Sequence, residues 1–73
     1  MIKITYDTQA DAAYIYLSPI AKGEVASSQH ILADNSPAEI NLDFDTDGKL
    51  LGIEILYASK ILKKEFLQEA SQL

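Results

Sequence analysis

Four carboxylates near the middle of the chain make its sharpest chemical suggestion. Asp43, Asp45, Asp47 and Glu54, with Gly48 between them, satisfy the calcium-loop spacing D-x-D-x-D-G-x5-E. A hard cation would take oxygens from loop positions one, three, five and twelve, with Gly48 making the sharp turn and the Lys49 carbonyl as a further ligand. Close acids such as Asp43 and Asp45 could also do acid-base work if proximity drove their pKa values apart. Other chemistry is sparse. His30 is the single imidazole, and Ser27, the hydroxyl three residues before it, falls on the opposite face of a strand. Tyr6, Tyr14, Tyr16 and Tyr57 offer a recognition surface, because tyrosine gives contact area with little rotamer entropy. Lys60, Lys63 and Lys64 break the acidic character toward the C-terminal end.

The elements that must position these groups argue against a calcium loop. Such a loop needs an entering helix, yet Pro37-Ala38-Glu39-Ile40-Asn41-Leu42 alternates as a strand. Asp47-Gly48 between alternating residues is a hairpin signal, with both residues tolerating the positive φ of a type I′ turn. With those two as the loop, Thr46 faces Lys49, and Phe44, Leu42 and Ile40 pair with Leu51, Ile53 and Ile55. All six apolar residues then share one face. The other face receives Glu39, Asn41, Asp43, Asp45 and Glu54, with Gly52 opposite Asp43 and Glu54 opposite Asn41. Asp43 and Asp45 would stand about 7 Å apart along the strand at about 3.4 Å per residue, without Glu54 converging on them. The acids therefore read as a solvated face, and no catalytic, cofactor or metal residue is assigned.

A first hairpin is expected over 2–17. Ile2, Ile4 and Tyr6 alternate with Lys3 and Thr5, and Ala13, Ile15 and Leu17 oppose Ala12, Tyr14 and Tyr16 across the second strand. Pro19 and Gly23 break the pattern before a weak strand over 25–33, which could pair at either edge. Beyond Ala58 the period becomes helical. Ser59 is placed to cap a helix over 59–71, with Leu62, Phe66, Ala70 and Leu73 on one face and Ile61 and Leu67 at its margins. Lys60, Lys64 and Gln68 fall on the far side. These elements describe one α+β domain, residues 1–73: a small antiparallel sheet of four to five strands with one C-terminal helix packed on one face.

Composition sets the outer limits. A chain of 73 residues buries only about 60% of the surface its unfolded form exposes, so it is marginal and needs packing or association to hold it. No cysteine is present to form a disulfide or thiolate site. Six lysines, no arginine and eleven acids give a net charge of −5, which repels nucleic acid and anionic lipid. The segment MIKITYD is no secretory leader, and no apolar run approaches the roughly 20 residues of a membrane span, so a cytoplasmic location is expected.

Tyr6-Asp7 followed by Asp11-Ala12-Ala13-Tyr14-Ile15, then Asp43-x-Asp45-x-Asp47-Gly48-Lys49-x-x-Gly52-Ile53-Glu54-Ile55-Leu56, resembles the domain-of-unknown-function family 2283 of small bacterial and archaeal proteins. Ala13 departs from the pattern, where a leucine is usual. The resemblance implies a small sheet-plus-helix domain, carries no reaction, and by analogy with toxin-antitoxin-like gene pairs implies a binding role. The functional expectation is a non-enzymatic binding or assembly domain, homo-oligomeric, because Leu50, Leu56, Ile61 and Leu67 lie outside the main core face. One alternative is an acidic antitoxin-like partner of a basic protein. Another is a metal-dependent protein using Asp43, Asp45, Asp47 and Glu54.

Overall fold

Strand-forming residues alternate through the first two thirds of the chain, and the computed structural model pairs them into one sheet; it describes residues 2–32 and 34–73. β1 (Lys3–Asp7) and β2 (Ala12–Tyr16) form an antiparallel hairpin in which Ile4 faces Ile15 and Tyr6 faces Ala13. The Asp7 carboxylate holds its turn by accepting from the Gln9 and Ala10 amides at 3.0 and 3.3 Å. β3 (Ser27–Leu32) pairs with β4 (Glu39–Phe44), which pairs with β5 (Leu50–Leu56), and β5 returns antiparallel to β2. The expected third strand ran to Ala33, which lies outside the described residues.

The chain then makes a 3-10 turn (Ala58–Lys60) and a short helix α1 (Lys64–Glu69), and ends in β6 (Ser71–Gln72) parallel to β1. The spatial order is β3-β4-β5-β2-β1-β6. Six strands replace the expected four to five. The added one comes from the tail that a helix over 59–71 would have absorbed. That helix is cut to six residues because its caps are weak: Lys63 at its start makes no side-chain capping bond, and Ala70 already has extended backbone. Lys63 and Lys64 also bring positive charge to the positive end of the helix dipole.

The central hairpin keeps its expected register where it is deepest, with Ile40 opposite Ile55, Leu42 opposite Ile53 and Asp43 opposite Gly52. Near the loop it differs. Phe44 faces Leu50 rather than Leu51, across a bulge that leaves Leu51 as the extra residue. The loop is three residues long and not a two-residue type I′ turn: Gly48 N–H donates to the Asp45 carbonyl at 3.0 Å, and Asp45 N–H to the Lys49 carbonyl at 2.9 Å. Gly48 sits at φ +77, the left-handed position that follows a type I turn in such loops.

Alternation places two unlike faces on the sheet. One carries Tyr6, Ala13, Ile15, Ile40, Ile53 and Ile55, and here Ala13, Ile55, Ala58 and Leu67 form a buried cluster with Leu62 and Phe66 packed against it. Leu67 is therefore core and not an uncovered margin residue, and Ala13 fits as a small side chain only 1% exposed. Leu73, expected on the helix's apolar stripe, lies beyond β6 and is exposed. The opposite face carries Tyr14, Tyr16, Gly52, Glu54, Asn41, Asp43, Ser28 and His30 in adjoining rows.

Candidate functional site

The sequence-predicted acids do not converge. Asp45 serves its own loop, its Oδ1 accepting from the Asp47 and Lys49 amides at 2.9 Å each. Asp43 is taken by two hydroxyls, with Tyr14 donating to Oδ2 and Ser28 to Oδ1, both at 2.6 Å. Glu54 accepts from the Asn41 amide at 3.0 Å on the same face. Asp47 is exposed in the loop. Among the described residues no three histidine, aspartate or glutamate side chains gather as a metal site. The residues of the calcium motif are thus divided between a hairpin turn and an open sheet face, with strands where that motif needs helices.

The open face is a hydrogen-bonded polar array. His30 Nδ1 lies 2.8 Å from Asn41 Oδ1, and since Asn41 gives its NH2 to Glu54, its oxygen accepts and the imidazole donates. His30 Nε2 lies 3.2 Å from Glu39 Oε1 at the next row. Tyr14 covers Gly52 so closely that a Cβ there would sit 2.5 Å from the ring, which is why a glycine interrupts β5. Tyr14 and Tyr16 pack with their rings tilted at 50° and centroids 4.5 Å apart, and Lys3 Nζ stands 5.8 Å from the Tyr16 ring centroid. Burial first, then the bond to Asp43, raises the Tyr14 hydroxyl far above the usual phenol value.

A second cluster, of Tyr6, Asp11 and Ser59, ties the first turn to the last. Asp11 occupies the left-handed region at φ 52. Its Oδ1 accepts from the Tyr6 hydroxyl at 2.6 Å and the Ser59 amide at 2.9 Å, and its Oδ2 accepts from the Ser59 hydroxyl at 2.7 Å. The Asp11 carbonyl also accepts from the Ala58 amide at 2.9 Å. Ser59 is therefore capped by Asp11 and does not cap a helix. The Tyr6 hydrogen bond, with those of Ser59 and the charge of Lys60, holds the Asp11 carboxyl below its ordinary value despite partial desolvation. The same bond to Asp11 raises the Tyr6 hydroxyl.

Beside this cluster lies a cleft of about 640 Å³ lined by Tyr6, Thr8, Ser59, Leu62, Lys64, Leu67, Gln68 and Gln72. β1 and its sheet neighbour β6, the 3-10 turn and α1 all contribute to the lining. The available sequence signal was Lys64 and Gln68, four apart on one helical stripe, but read as a solvated face. No helix among the described residues is long and apolar enough to cross a membrane. No curated protein and no solved structure matches the chain. Residues 3–59, from the start of β1 to the Ser59 that Asp11 holds, match the family described as Protein of unknown function (DUF2283), and the chain belongs to that family.

Proposed function

We propose that this domain works by assembly rather than catalysis, as a cytoplasmic homodimer joined along the free edge of β3. The carrying observation is that edge itself: all six residues of Ser27–Leu32 are exposed, and the strand contains no lysine, acid, proline or bulge to deter pairing. An acidic chain that repels its own copies over most of its surface can meet a second copy across a strand that carries no acid. Antiparallel pairing about a two-fold axis is self-complementary, setting the same segment against itself. The adjoining apolar face favours this too. In this reading α1 covers the sheet over β1, β2 and β5, leaving Ile31 and the half-buried Leu42 and Phe44 for the partner to cover.

Size-exclusion chromatography with light scattering tests the reading. The wild-type chain should run as a dimer, and Ile31→Lys, an inward charge on an edge strand, should run as a folded monomer with the same circular dichroism. A wild-type chain that stays monomeric at millimolar concentration would overturn it.

A further inference from the structure

We infer that the cleft between β1 and α1 is a binding site for a small amphipathic carboxylic acid, an apolar body ending in one carboxylate. The charge pattern is the first argument. Eleven of the chain's residues are acidic, yet none lines the cleft, and Lys64 is its single charged lining residue. Two acids stand near it and both are engaged: Asp11 accepts from three donors of Tyr6 and Ser59, and Asp7 accepts from the Gln9 and Ala10 amides.

Hydrogen-bond capacity then fixes the orientation. Tyr6 and Ser59 donate to Asp11, and the Gln72 amide donates to the Leu67 and Ala70 carbonyls at 3.0 and 2.9 Å. These groups present only lone pairs to an occupant and would repel a carboxylate. The donors left for it are the Lys64 ammonium, the Gln68 amide and the Thr8 hydroxyl. The headgroup belongs beside Lys64 and Gln68, and the apolar body lies along Leu62, Leu67 and the Tyr6 ring. The volume falls in the range of small-ligand pockets, with apolar walls and few directing polar groups. An extended peptide is disfavoured because β6 already occupies the edge of β1 that a peptide strand would need. Tyr6, Thr8 and Ser59 of the lining lie within the family match at residues 3–59, whereas the headgroup donors Lys64 and Gln68 lie beyond it.

The test is a nuclear magnetic resonance titration of the full chain with octanoate, and with octanol as the uncharged control. Octanoate should shift the amides of Thr8, Leu62, Lys64, Leu67 and Gln68 together. Lys64→Gln, an exposed substitution, should weaken octanoate by about threefold, as for one exposed charge pair, and leave octanol unchanged. Gln68→Trp should fill the mouth and abolish both. Unchanged octanoate affinity in Lys64→Gln, shifts confined to the Ile31, Leu42 and Phe44 region, or no shifts at all would overturn the site. Because the readout maps to residues, it is independent of whether the chain dimerises.

Discussion

Asp11 does more for this fold than its position in a turn suggests. One carboxylate joins Tyr6 on β1 to Ser59 after β5, and its left-handed backbone is one that aspartate and asparagine tolerate better than alanine. Asp11→Ala should therefore cost about 2 kcal/mol, toward the low end for charged hydrogen bonds because solvent screens the cluster. Asp11→Asn should cost less, keeping the backbone preference and one acceptor. Because the folded carboxyl titrates below its ordinary value of 3.8, the unfolded chain takes up the proton first as pH falls. Its stabilisation is complete above that ordinary value and is lost as pH drops through the lower folded one. Melting temperatures of wild type and Asp11→Asn, followed from neutral pH into acid, should converge in that window; a constant gap would refute the linkage. None of this was legible in the sequence. Tyr6, Asp11 and Ser59 are visible as types, but a contact spanning 48 residues depends on a sheet order that local pattern does not specify.

At the level of elements, the sequence was most informative where alternation was strongest. The pairs Ile40 with Ile55 and Leu42 with Ile53 follow from the requirement that both strands bury the same face. An Asp-Gly pair suits both a two-residue turn and the end of a three-residue one, and the bulge at Leu51 reconciles the second with the same register. Helical spacing of apolar residues continues past Glu69 into a segment whose backbone is extended, so the spacing alone does not mark where the helix stops. Cross-strand packing gives a direct test. Gly52→Ala places a methyl against the Tyr14 ring and should destabilise the domain by about 2 kcal/mol, within the usual range for overpacking. In a Tyr14→Ala background the same change should cost almost nothing, and equal costs in both backgrounds would show that the ring is not the cause.

Across the whole molecule, stability is graded from the sheet's centre outward. Among the described residues no large side chain is fully buried, so the core is shallow and holds through adjacent strands. β1, β2, β4 and β5 each have partners on both sides, though β1 has only the two-residue β6 on its outer side, whereas β3 and β6 are edges. Amide hydrogen exchange should be slowest in β5 and β2, and fastest in α1, β6 and the outer amides of β3. Faster exchange in β5 than in α1 would contradict that gradient. The division between charges was partly legible in the sequence. The acids were expected on a solvated face, and Glu54, Asp43 and Glu39 do share one, but their recruitment of Tyr14, Ser28, Asn41 and His30 required β3 to lie beside β4.

The parallel pairing of β6 with β1 gives the domain a mechanical direction. Thr5 faces Ser71 and Tyr6 faces Gln72, and Leu73 N–H donates to the Tyr6 carbonyl at 2.9 Å. Tension applied to residue 2 and residue 73 pulls these two strands oppositely along their length, so their few hydrogen bonds are loaded in shear and fail together instead of unzipping singly. The tail then peels away, carrying Leu67 off Ala13 and Ile55 and opening the cleft while the five remaining strands stay paired. Whatever occupies the cleft would act as a rivet across that seam, raising the force at which the chain first yields.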